Sequence, residues 1–296
     1  MTNSLDDVAE GRPSHRTLEW KLRKVGMENI ACQVRLDSGL TPAKASAFVS
    51  LTSEDKRGIH MSRLFELVSN LHEQPLSRKW VCDVMNKMLE SHHDTSDRAY
   101  LDISFDLLLM RKALLSEKQG WHTYPVRLLA ERTEKTENWT IELKVLYSST
   151  CPCSASLSRQ AIQDQFSKDF HDKKPSLDEM HAWLGHETSI VAVPHAQRSE
   201  AIGRFTIDGN VPCPNFVDLI NDMESALGTP VQSAVKREDE QEFARLNAKN
   251  LMFCEDAARR LKAKFIDNPN IKDFFFEVRH FESLHPHDVV AQVTKY

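Results

Sequence analysis

The sequence predicts an α+β fold built as two successive ββααββ modules. Two observations carry this. Segments with strand-like alternation flank segments with helical spacing, and the order strand, strand, helix, helix, strand, strand recurs roughly twice along the 296 residues. The composition, 41% hydrophobic and 27% charged with only nine glycines, supplies enough apolar material for a substantial core.

Taken in order, residues 1–15 are polar and expected to be flexible. The first module spans 16–150, and within it 17–36 and 43–52 read as extended. Over 61–73, Leu64, Leu67, Val68 and Leu71 share one helical face. A second helix over 78–92 turns Val81, Val84, Met85 and Met88 inward. In YLDISFDLLLMR, Leu101, Ile103 and Phe105 alternate with polar residues; WHTYPVRLLAER and WTIELKVLYSS alternate in part, so all three read as strands. The second module spans 151–296. It opens with an enlarged insert at about 158–190, polar and charged over most of its length, which reads as a helical excursion or a loop. Residues 186–193 and 201–208 read as extended, 215–227 and 250–265 as helical, 272–282 and 287–295 as extended.

Bulk properties narrow the function. A formal net charge of −5 opposes a generic nucleic-acid binder. The six cysteines are scattered rather than packed as in a small secreted scaffold. With no signal peptide and no apolar run of membrane-spanning length, the expectation is a cytoplasmic protein with reduced thiols and no membrane partner. No GxGxxG, Walker loop, GxSxG or HExxH occurs, so a phosphate would have to be held by side chains or a helix N-terminus.

The informative stretch is Thr150-Cys151-Pro152-Cys153-Ser154, two thiols around a proline that stiffens the segment. A buried structural pair is the plain reading, since free cysteine packs as a small hydrophobe. A redox pair is disfavoured by the Cys-x-Cys spacing. A closed zinc site needs a second ligand pair of known spacing, which is not found. An open catalytic metal site needs only a thiolate and one or two distant ligands. Candidates for those are His195 in VPHAQRS and the cluster His280, Glu282, His285 and His287 in HFESLHPHD; solvated turns are the alternative for both. VKREDE (235–240) and FCEDAARRL (253–261) read mainly as helix starts and helix-face charge. RGIHMSRLFE sets His60, Ser62 and Arg63 at a helix start, an anion-binding arrangement in which Ser62 can equally be a cap.

Together and in this order, GIHMSRL, CPCS, PHAQR, KREDE, FCED and FESLHPHD closely resemble the type IB GTP cyclohydrolase I family, from about residue 16 to the C-terminus. The resemblance implies the tunnelling fold, with antiparallel sheets carrying helices on one face, and a homotetramer with active sites between subunits. It implies conversion of GTP and water to 7,8-dihydroneopterin triphosphate and formate with a divalent metal ion: manganese, iron or zinc. By the matched motifs, Cys151, His195 and Glu240 resemble the metal ligands, although Glu282 competes with Glu240 as the carboxylate. Cys151, Cys153, Glu282 and His285 resemble catalytic positions. Glu255 resembles the carboxylate that anchors the purine ring, while His60, Arg63, Arg198, Lys236 and Arg237 are cations or donors for the rest of GTP. His195 stands farther from Cys151 than the family pattern has it, because of the insert, and His171, His181 and His186 within the insert are rival ligands. Ala196 stands where the family often has Asn. Two other functions are expected to compete. One is a tunnelling-fold reductase of a 7-cyano-7-deazaguanine, with Cys151 or Cys153 as nucleophile and NADPH as hydride donor. The other is a non-catalytic metal-binding module.

Overall fold

In the computed structural model, which describes Gly11, residues 20–207 and residues 215–296, eight strands form one sheet in the order of the chain. The expected flexible segment 1–15 lies, apart from Gly11, outside the described residues. The strands are β1 Leu22–Leu36, β2 Gly39–Leu51, β3 Arg98–Lys112, β4 Gln119–Thr133, β5 Glu137–Thr150, β6 Ala196–Ile207, β7 Ile271–His280 and β8 Val289–Thr294. Every neighbouring pair is antiparallel. The helices cover one face. Helices α1 Met61–Ser69 and α2 Arg78–Glu90 lie between β2 and β3; α3 Pro152–Asp169 and α4 Leu177–Leu184 lie between β5 and β6. Helices α5 Phe216–Leu227, α6 Arg237–Lys249 and α7 Cys254–Phe265 lie between β6 and β7.

Period-2 patterning explains which face is covered. In β5, Trp139, Ile141, Leu143, Val145 and Tyr147 are buried, and in β6 Ala201, Phe205 and Ile207. The helices answer with apolar stripes: Leu64 and Val68 of α1, Val81, Val84, Met85 and Met88 of α2, Leu219, Ile220 and Met223 of α5, and Ala257, Ala258 and Leu261 of α7. Beneath α7 the core is aromatic, with Phe205, Phe265 and Phe276 paired at ring centroids 5.0–5.4 Å apart. Gly203 belongs to this knot: a Cβ there would meet the rings of Phe205 and Phe276 at 2.9 Å. Gly228 ends α5 at φ 80, the left-handed cap that glycine adopts without strain.

Two expectations change. Residues 186–193 do not form a strand; β6 begins only at Ala196, and β5 supplies its partner. The apolar run Ile190, Val191, Val193 that suggested a strand is 36–76% exposed and finds no ladder. The insert is the helical excursion α3–α4, held by its own aromatic contacts of Phe166 and Phe170 with Trp183 and by a Ser176–Glu179 capping box. The charged run at 235–240 is a helix start, as read, but it opens a separate helix, α6.

Candidate active site

Inward-facing residues change character at one end of the sheet. The buried stripes of β5, β6 and β7 are apolar along most of their length and end in Ser149, in Gln197 and Ser199, and in His280. Strand register makes these neighbours, since Ser149 pairs with Gln197 and Ser199 with His280. A chain of hydrogen bonds results. Gln197 Nε2 donates to Ser149 Oγ at 3.0 Å, Ser149 Oγ lies 2.8 Å from Ser199 Oγ and 3.3 Å from His280 Nδ1, and Tyr147 Oη lies 2.8 Å from His280 Nε2. Burial lowers the His280 pKa to about 4 against the opposing pull of the Glu255 and Glu282 carboxylates, so the imidazole is neutral at pH 7.

Four distant segments converge at this end. Cys151 is the N-cap of α3, with Pro152 pre-set for the first helical turn. Its backbone N–H donates to the His195 carbonyl at 3.3 Å, and the Ser154 hydroxyl accepts from the His195 N–H at 3.0 Å. The whole α3–α4 excursion therefore leaves and returns at one point, and His195 stands beside Cys151 despite the intervening insert. The rival histidines do not: His171 pairs with Asp172, His186 with Thr188, and His181 sits exposed on α4. From the β7–β8 turn, Glu282 Oε1 comes within 3.6 Å of His195 Nδ1 and accepts from the Ser283 and Leu284 N–H groups at 3.0 Å each. The Leu284 N–H, with His195, the Ser283 N–H and His285 adding to it, holds Glu282 below the ordinary carboxylate range although burial opposes. Phe281 N–H ties the turn to the Arg198 carbonyl. His285 stacks on His287, centroids 5.1 Å apart. The fourth segment is the start of α7. Met252 N–H donates to the Thr150 carbonyl, which sets Glu255, in the first turn of α7, near the end of β5.

The remaining expected residues divide. Cys153 and Arg198 are exposed at the same end of the sheet. Cys254, beside Glu255, is buried against the Val278 carbonyl and burial pushes its thiol up to about 11, so it is inert packing. Lys236, Arg237 and Glu240 are exposed at the N-terminal end of α6, whose far end meets β5 through Asn247, which accepts from Ser148 and Thr150. In KREDE the buried member is Asp239. It accepts from the Leu115 and Ser116 N–H groups and the Ser116 hydroxyl, pinning the β3–β4 turn to α6, and these bonds hold its carboxyl well below the usual range against burial. Among the described residues, no hydrogen bond or ion pair joins Glu240 to Cys151 or His195. His60 and Arg63 are elsewhere. Arg63 donates to the Ser91 carbonyl near the start of β3, which pairs with the end of β4, which pairs with the start of β5. Cys151 follows the end of β5. A strand of 14 residues, about 45 Å, separates the two groups.

Among the described residues, no three His, Cys, Asp or Glu side chains gather closely enough to hold a metal ion. The donor types that the fold brings to this end of the sheet at Cys151, His195 and Glu282 (thiol, imidazole and carboxylate) are nonetheless those that suit divalent ions from manganese to zinc. An open cavity of about 950 Å³ lies elsewhere, across the middle strands, lined by Thr41, Lys44, Trp121, Arg127 and Lys144. No helix of the described residues is long and apolar enough to cross a membrane. Sequence reasoning missed Gln197, Ser149 and Tyr147 as site-forming residues. The one available signal was polar residues at inward positions of otherwise apolar strands.

An antiparallel sheet of eight strands with helices on one face and a polar cluster at one end defines a tunnelling-fold protein. Solved uricases share this architecture: the enzyme from Arthrobacter globiformis superposes with a TM-score of 0.50 at 7% identity, covering 92% of this chain and 93% of that one. The uricase from Bacillus fastidious does so with the same TM-score and identity, covering 92% of each chain. At that identity the likeness concerns fold alone. The particular family comes from sequence. Residues 5–291 match the family model described as type I GTP cyclohydrolase folE2. GTP cyclohydrolase FolE2 of Pseudoalteromonas translucida is 45% identical over 299 residues, covering 98% of this chain and 97% of the relative. That of Bdellovibrio bacteriovorus is 45% identical over 300 residues, covering 99% and 96%. The chain belongs to the FolE2 family of type I GTP cyclohydrolases. This membership bears out the resemblance and favours the cyclohydrolase over the deazaguanine reductase and the non-catalytic module.

Proposed function

We propose that this chain hydrolyses GTP at C8 of guanine, releases formate and recloses the ring to give 7,8-dihydroneopterin triphosphate, the first step toward tetrahydrofolate. The observation that carries the reading is the convergence of Cys151, His195, Glu255 and Glu282, from four segments, at one end of the sheet in a chain of this family. Glu255 presents two carboxylate oxygens to the donor pair of the guanine edge, N1–H and the exocyclic amine. Glu282, kept ionised by backbone N–H groups, and His285 beside it move protons during ring opening and reclosure. Cys153, exposed in the first turn of α3, works at the same site. Arg198, Lys236 and Arg237 hold the triphosphate.

Cys151 and His195 would be the thiolate and imidazole donors of a divalent ion of manganese, iron or zinc, with Glu240, exposed in the first turn of α6, or its rival Glu282, 3.6 Å from His195, as the carboxylate. Such an ion, when bound, supplies an activated water near neutral pH. The other carboxylates and His285 do the proton work. His60 and Arg63, a strand's length away, reach a Cys151 cluster only from another copy of the chain. That separation supports a homotetramer with sites between subunits. The helices bracketed by strand pairs in each half support two tandem modules. A cytoplasmic location goes with the GTP substrate.

The test is fluorescence-detected pterin formation, after oxidation, by metal-stripped protein resupplied with manganese, iron or zinc, for wild type and Cys151→Ala. Metal-dependent pterin that vanishes in the variant is the expected result. Folded, assembled wild type that makes no pterin with any of the three metals overturns the reading.

A further inference from the structure

We propose that Gln197 is a positioning residue for His195, holding its ring as the Nδ1–H tautomer so that Nε2 keeps the lone pair. The proposal rests on the reading above only in taking His195 as a working residue. Gln197 Oε1 lies 3.1 Å from His195 Nδ1, while the other end of the same amide donates to Ser149 Oγ. An amide has one accepting and one donating end, so its orientation dictates which ring nitrogen of His195 carries the proton. A second observation points the same way. A Glu282 carboxylate oxygen stands on the same side, 3.6 Å from that Nδ1, and the Ser283 hydroxyl, among the described residues the one group there that could donate to it, is at 3.5 Å, longer than the 3.1 Å Gln197 contact.

The anchor behind Gln197 is rigid. Gln197 is 9% exposed, Ser149 and Ser199 0%, Tyr147 1% and His280 4%. Their bonds run across three strands whose register fixes each partner. With His280 neutral, the chain carries no charge of its own and orients the ring without acting as a proton store. Outer partners of a histidine ligand work in this way, setting tautomer and ring direction.

The experiment uses metal-free, ¹⁵N-histidine-labelled protein. Two-bond ¹H–¹⁵N correlations report each ring's tautomer, and His195 is assigned by its disappearance in His195→Gln. Gln197→Leu, Gln197→Glu and Ser149→Ala are compared with wild type, and circular dichroism verifies that each is folded. Wild type is expected to show His195 as Nδ1–H. Gln197→Leu loses that preference and weakens cobalt(II) binding by about 10- to 100-fold, with GTP affinity unchanged. Gln197→Glu, which still accepts the Nδ1 proton, retains both. Ser149→Ala, which frees the far end of the amide, shifts them in the direction of Gln197→Leu by a smaller amount and serves if Gln197→Leu does not fold. A wild-type His195 protonated on Nε2, or a folded Gln197→Leu with an unchanged tautomer, overturns the proposal. Wild type that binds no cobalt(II) sinks the metal assignment instead, and the tautomer result still decides the role of Gln197.

Discussion

His92 and His280 are both buried, at opposite ends of the same sheet, and burial holds both below the ordinary histidine range. Their partners differ. His92 Nδ1 lies 3.0 Å from the Met88 carbonyl and 3.0 Å from the Ser91 hydroxyl, so its ring, in the turn that follows α2, closes the last turn of that helix. His280 meets Tyr147 and Ser149, side chains of another strand, and through Ser149 and Gln197 it leads to His195. Burial and pKa alone do not separate the two. What separates them is which groups they support: His92 the turn after α2 and the His60 segment, His280 a line of side chains that leads to His195. By that criterion His92 braces the start of α1 against the end of α2, and His280 is the inner support of an active-site ring.

The comparison is broken most directly by removing each imidazole. His280→Leu strands the Tyr147 and Ser149 hydroxyls and loosens the support of Gln197. Turnover should fall about 10- to 100-fold, the usual cost of losing an outer partner. Stability should fall by about 1–3 kcal/mol, the cost of a buried polar group left unpaired. His92→Leu should cost stability of the same order and less turnover than His280→Leu does, through its contact with His60 alone. Urea melts and the pterin assay read the two quantities separately, and equal losses of turnover would erase the distinction.

Acid sharpens it next. In the unfolded chain a histidine titrates near 6.5, whereas the buried His280 does so at about 4. Between those values the unfolded state binds a proton that the native state refuses. The contribution of His280 is therefore complete above about pH 6.5 and is lost as pH falls toward 4, at about 1.4 kcal/mol per pH unit. Urea midpoints at pH 7.5 and 5 should diverge less in His280→Leu than in wild type. An unchanged divergence would mean that the buried ring is already charged. The smallest effect is that of Tyr147→Phe, which removes one hydroxyl from His280 Nε2. It should cost about 1 kcal/mol and leave turnover near wild type, because Ser149 and Gln197 keep their bonds.

Much of this protein is written locally. The alternation in β3 and β5, the 3.6-residue stripes of α1 and α2 and the proline after Cys151 are short-range patterns that side-chain geometry imposes on any chain. They gave the element order and, with six short motifs, the family. The expected strand at 186–193 shows the limit, since an apolar run becomes a strand only where a neighbouring edge is open to pair with it, and β5 is already paired with β4 and β6. The cluster shows it again. Cys151 and His195 meet because the α3–α4 excursion closes on itself, and Glu282 and Glu255 join them through the register of β7 and the tie from Met252 to Thr150. The sequence determined which chemistry-bearing residues the chain owns and the local shape around each. Tertiary structure alone decided that Ser149, Gln197 and His280, ordinary polar residues far apart in the chain, share one line of hydrogen bonds. Strand pairing sets those neighbours, and no local pattern encodes it.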